Sequence, residues 1–134
     1  MNPHDIVTAP GLAEPVGFAH AVVAAPGRTV YLGGQTAQGP DGVIVGTTLV
    51  EQFDIAAGNM VAALEAAGGA VDHLTSLIIY TASMGEYRES MRELGRVWRT
   101  HLGRHYPAVA LLGVATLFDE DALIELVGTA VIPT

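Results

Sequence analysis

Two short stretches, Tyr31-Leu32-Gly33-Gly34-Gln35 and Tyr106-Pro107-Ala108-Val109-Ala110-Leu111, decide how the rest of the chain is read. The first runs out of an apolar strand into paired glycines, which permit positive φ or let a ligand approach backbone N–H groups closely. Two readings of that pair stand together: a bulge or tight strand exit, and the wall of a binding cleft. The second stretch opens a strand predicted over 107–114, shortly after Gly103 has stopped a helix.

Working outward, strands over 19–24 and 29–33 flank Ala25-Pro26-Gly27-Arg28, whose Pro and Gly predict a hairpin. A further turn at Gly39-Pro40-Asp41-Gly42 leads into a short strand over 43–45. The spacing of Leu49, Phe53, Ala56, Met60, Leu64 and Ala67 places them on one face of a helix over 49–67. Thr47 or Thr48 can cap its start, and Gly68-Gly69 stops it. Residues 74–81 are short, apolar and β-branched, the pattern of a buried strand. A second helix over 86–102 carries Tyr87, Met91, Leu94 and Trp98 on one side, and a last strand spans 123–131. This order predicts an α+β fold, a mixed sheet with two helices on one face. The other face carries Leu123 and Val127 and, by alternation, Glu125 and Thr129. A largely apolar, uncovered face calls for a second subunit.

Length and composition set the remaining bounds. A chain of 134 residues predicts a single domain over 1–134. Hydrophobic residues make up 50%, and the mean hydropathy of +0.39 suggests apolar surface shared between subunits. No apolar run approaches the ~18 residues that span a bilayer. Residues 1–25 lack a basic, then continuously apolar, secretory signal, so a cytoplasmic location is expected. There is no cysteine, which excludes disulfides and a thiol nucleophile. Lysine is absent too, since the six basic residues are the arginines at 28, 88, 92, 96, 99 and 104. That excludes a lysine Schiff base and a P-loop lysine. A formal net charge of −8 repels phosphate backbones on average and argues against a nucleic-acid partner.

Together with Pro15-Val16-Gly17-Phe18-Ala19-His20-Ala21-Val22 and Ile124-Glu125-Leu126-Val127, the two opening stretches resemble the RidA/YjgF family of small trimeric enamine/imine deaminases, over nearly the whole chain. The resemblance implies a RidA/chorismate-mutase-like fold, a homotrimer around a central barrel, and a small-molecule site in each cleft between neighbours. No cofactor, no metal and no membrane partner are expected. In the family's deaminases the second stretch reads Pro-Ala-Arg-Ser, and the arginine grips the substrate carboxylate. Such charge-assisted bonds are worth about 1.5–3 kcal/mol each. Val109 stands at the arginine, Ala110 at the serine, and Leu111 follows. The family's closing strand resembles Ile-Glu-Ile-Glu; here Glu125 is kept and Val127 replaces the second, catalytic glutamate. Met91 maps to a frequent asparagine, and Phe18 to a frequent tyrosine.

What this implies is a more apolar pocket, with small-carboxylate binding weakened roughly ten- to several-hundred-fold. The substrate-binding positions carried over are Phe18, Gly33, Gly34, Gln35, Met91, Val109, Leu111 and Val127, with Glu125 as the candidate catalytic group. Two roles stand for Glu125: general base, or an ion pair across a subunit boundary. Arg104 and His105 either line the cleft mouth or are solvated loop residues. His101 and His105 have the spacing of a helical metal pair, but Gly103 breaks the helix between them and no third ligand is near. Arg88, Arg92, Arg96 and Arg99, interleaved with Glu89 and Glu93, read as a solvated, ion-paired face. Two function classes follow: a C–N hydrolase acting on a non-standard enamine or imine, and a non-catalytic metabolite-binding or interaction module. A ribonuclease or translation inhibitor is the third, and the acidic charge opposes it.

Overall fold

A computed structural model describes residues 2–134. Strands β1 (Asp5–Val7) and β2 (Ala21–Val23) form a two-stranded antiparallel pair. A mixed four-stranded sheet has the order β3-β6-β4-β5, built from β3 (Gly27–Tyr31), β4 (Leu74–Thr81), β5 (Ala108–Gly113) and β6 (Ile124–Pro133). β4 and β6 pair antiparallel at its centre, whereas β4 and β5 run parallel. Parallel neighbours need a long crossover, and helices α2 (Met84–Glu89) and α3 (Met91–Leu102) supply it. The α+β class and the mixed sheet are as expected.

Helix α1 (Leu49–Ala66) begins in a capping box. Thr48 Oγ1 accepts from Glu51 N–H at 3.1 Å, and the Glu51 carboxylate accepts from Thr48 N–H at 3.0 Å. Those backbone and hydroxyl donors hold the Glu51 carboxyl below its ordinary 4.5. Gly68, at φ +89°, ends the turn after the helix. Leu49, Phe53, Ala56, Met60 and Leu64 are buried against the sheet, where Leu77, Ile79, Ile124 and Leu126 meet them. Each large side chain so buried contributes about 1.5–3 kcal/mol. Ala67, expected on this face, is exposed beyond the helix end, while Gln52 is buried in its place. On the opposite sheet face Ile78, Tyr80, Glu125, Val127 and Thr129 are only half-buried. Among the described residues no helix is long and apolar enough to cross a membrane.

Three expectations need correction. The segments around Pro26-Gly27 are not a hairpin, because β2 pairs with β1 and β3 with β6. Buried His4 fixes this corner: its Nδ1 accepts from Ala25 N–H at 3.0 Å and its Nε2 reaches Val131 O at 3.1 Å. Residues 43–45 form no strand, only an isolated bridge between Gln38 and Ile44. The second helix is broken at Ser90, whose φ of −111° and ψ of 15° leave the helical run. Tyr87, Met91, Leu94 and Trp98 still fall on one side across the break, which is why periodicity alone did not reveal it.

Candidate functional site

Parallel register sets Val109 beside Leu77 and Leu111 beside Ile79, so both point to the helix side of the sheet. There they floor an apolar cavity of about 340 Å³. Tyr87, Met91, Leu94 and Trp98 form its wall, and Val16, Gly17 and Phe18 cross its edge. Trp98 stacks on Tyr106 with ring centroids 5.7 Å apart and planes 6° apart. The indole N–H donates to His105 O at 3.2 Å, which fixes that wall. Among the described residues no Asp, Glu, His, Lys or Arg lines the cavity. Its polar handles are the phenols of Tyr87 and Tyr106, neither hydrogen-bonded to the chain among the described residues. Burial pushes the Tyr87 phenol above its ordinary 10.0, so it stays neutral. Phe18, Met91, Val109 and Leu111 are thus brought together.

The remaining candidates gather elsewhere. Between Tyr31↔Thr129 and Gln35↔Leu126 the β3–β6 pairing shifts by one residue, so Gly33-Gly34 lies in a bulge. Gln35 and Leu126 exchange two backbone bonds of 2.9 Å beyond it. The Glu125 carboxylate lies where a Cβ on Gly34 would sit, with its Cγ 3.3 Å from that point. Glu125 pairs with Tyr80 and Val127 with Ile78, on the face of the sheet opposite Val109. Within one chain, Glu125, Val127, Gly33, Gly34 and Gln35 are therefore outside the apolar cavity. Gln35 instead lines a shallow polar hollow with Gln38 and Asn59.

Other residues are assigned by their partners. His105 is buried, its Nε2 at 2.8 Å from Leu74 O and its Nδ1 at 3.0 Å from the Asn2 side chain. His101 lies on α3 and bonds Asp54 of α1 at 2.6 Å. The two histidines so serve different contacts. Arg104 is exposed. Arg88, Arg92, Arg96 and Arg99 are exposed as well, but among the described residues none is within ion-pair distance of a carboxylate. The expected Glu89 and Glu93 pairing is thus corrected to free, solvated cations. Arg99 folds back along its helix, its Nη1 3.6 Å from where a Cβ on cavity-lining Gly95 would sit. Tyr87, Leu94, Trp98 and Tyr106 are not among the binding positions expected from the sequence; for the first three, the stripe shared with Met91 was the signal available.

The family described as Endoribonuclease L-PSP matches residues 11–132. A Rid-family protein of unknown function from Yersinia pestis is 26% identical, with a TM-score of 0.82 over 98% of this chain and 100% of that one. A putative endoribonuclease from Thermotoga maritima is 28% identical, with a TM-score of 0.70 over 94% and 93% of the two chains. A probable translation initiation inhibitor from Rhodopseudomonas palustris is 26% identical, with a TM-score of 0.68 over 96% and 97%. No curated protein matched the chain. Sequence pattern, strand order and fold agree: the chain belongs to the Endoribonuclease L-PSP family, the group that includes the RidA/YjgF proteins.

Proposed function

We propose that this is a cytoplasmic homotrimer with a small-molecule site at each cleft between subunits, adding water to an enamine or imine that carries no small carboxylate. The observation that carries this reading is Val109 on the floor of an apolar cavity, at the position the resemblance gives to a carboxylate-gripping arginine. A hydrocarbon there offers neither charge nor hydrogen bond, so a neutral, largely apolar ligand is favoured. The half-buried face of Ile78, Tyr80 and Val127 supports association with further copies. Glu125 lies on that same face, and in a trimer it is the candidate general base for a neighbouring cleft. Ammonia release from 2-aminoacrylate generated in situ is the test. Little or no release is expected, and activity matching arginine-bearing relatives would refute the reading.

A second reading, non-catalytic binding, draws on the absence of any acid or base other than tyrosine among the cavity side chains. Native mass spectrometry of the purified protein separates the two. A retained neutral compound that is never converted favours binding alone. Turnover that Glu125→Gln abolishes with the oligomer intact favours hydrolysis. The ribonuclease reading draws on the family description and predicts steeply salt-dependent RNA binding. The net charge of −8 opposes it, and no RNA retention at low salt is expected.

A further inference from the structure

We infer that Phe118 is an anchor that enters the apolar cavity of a second copy of this chain, so that a neighbour's loop completes each ligand site. This rests on the inter-subunit reading above and names the residue the neighbour supplies. Phe118 is 97% exposed, an unusual position for a large aromatic ring, and it stacks on no other ring among the described residues. The loop that presents it is held, not slack. Ala122 N–H donates to Asp119 O at 3.0 Å, and the Gln38 side chain donates to the Asp119 carboxylate at 3.1 Å. Gln52, 1% exposed, accepts from Leu123 N–H at 2.8 Å and donates to Asp121 O at 2.9 Å. A ring fixed in advance loses little freedom on docking, and buried aromatic anchors dominate interface energies.

Charge gives the partner. Asp119, Glu120 and Asp121 follow Phe118 directly. On the other side, Arg88 and Arg92 follow the cavity residues Tyr87 and Met91, and Arg99 lies against Gly95. Exposed Glu89 and Glu93 alternate with them, but the three arginines outnumber these two and have no carboxylate partner among the described residues, so these helices offer unpaired cations to the acidic loop of another copy. A contact between two different surfaces is head-to-tail, the kind that forms a ring when its rotation closes, as in a trimer.

The chain has no cysteine, so an engineered pair reports this contact without background. Met91 is 59% exposed at the cavity, and neither it nor Phe118 is needed to fill the core. Oxidation of the Phe118→Cys/Met91→Cys double variant is expected to give disulfide-linked multimers on a non-reducing gel, which reductant returns to single chains. Trp98, the single tryptophan, reports the cavity directly. Its emission is expected to shift red, with greater acrylamide quenching, in Phe118→Ala. If the unmodified protein sediments as a trimer but the cysteine pair forms no inter-chain bond, or Trp98 emission does not move, this inference falls and the trimeric reading stands. If the unmodified protein sediments as a monomer, both fall.

Discussion

The carboxylate of Glu125 rests in the space that a side chain on Gly34 would fill. The glycine therefore sets where the candidate base sits. Because the obstructing atoms are the far end of a flexible side chain, Gly34→Ala can be accommodated by swinging the carboxylate away. We expect a stability change within about 0.5–1 kcal/mol by chemical denaturation. Any turnover that uses Glu125 is expected to fall about as far as in Glu125→Gln, by roughly a hundredfold or more. Normal turnover in Gly34→Ala would remove Glu125 from the chemistry.

Gln52 ties three backbone groups together inside the core: Gly46 O, Asp121 O and Leu123 N–H. Gln52→Leu keeps the volume but leaves those groups without their partner, at about 1–3 kcal/mol for each one that stays buried. We expect a loss of about 2–4 kcal/mol in urea unfolding. A neutral result would mean that water reaches the loop and replaces the amide.

Val109→Arg places a guanidinium at the floor of the cavity. If the family's carboxylate grip is what valine removes, small 2-amino and 2-oxo acids should bind roughly ten- to several-hundred-fold more tightly than to the unmodified protein. Isothermal titration measures this directly. Unchanged affinity would show that the neighbouring apolar wall, rather than the missing charge, excludes them.

The capping box gives a pH dependence of known sign. Glu51 has a lowered folded-state pKa, caused first by the Thr48 backbone N–H. Its contribution is therefore present above the ordinary carboxylate value of 4.5 and is lost as pH falls through the lower folded value. Glu51→Gln should thus be less stable than the parent at pH 7 and approach it toward pH 3. Parallel denaturation curves at both pH values check this; a constant gap between the proteins would contradict it.

Much of the fold was legible because its signals are local. Leu49, Phe53, Met60 and Leu64 write a helical period, Gly103 marks a helix end, and residues 74–81 write a buried strand. The hairpin reading failed because turn chemistry at Pro26-Gly27 says nothing about which strand lies alongside. That choice was made by His4 and by β6, distant in sequence. Within the site, Tyr87, Met91, Leu94 and Trp98 shared a visible stripe, yet a stripe facing a cavity and one facing a core look the same on paper.

By itself, then, the sequence determined the main helices and strands and their order, the absence of cysteine and lysine nucleophiles, and the hydrocarbon at position 109, since composition and short periods are properties of the chain alone. Only the tertiary structure decided that Val109 and Glu125 lie on opposite faces of one sheet. It also decided that Gly33-Gly34 forms a bulge and that Phe118 is held out in solvent. Those facts depend on strand register and on long-range hydrogen bonds, which exist only once distant segments have met.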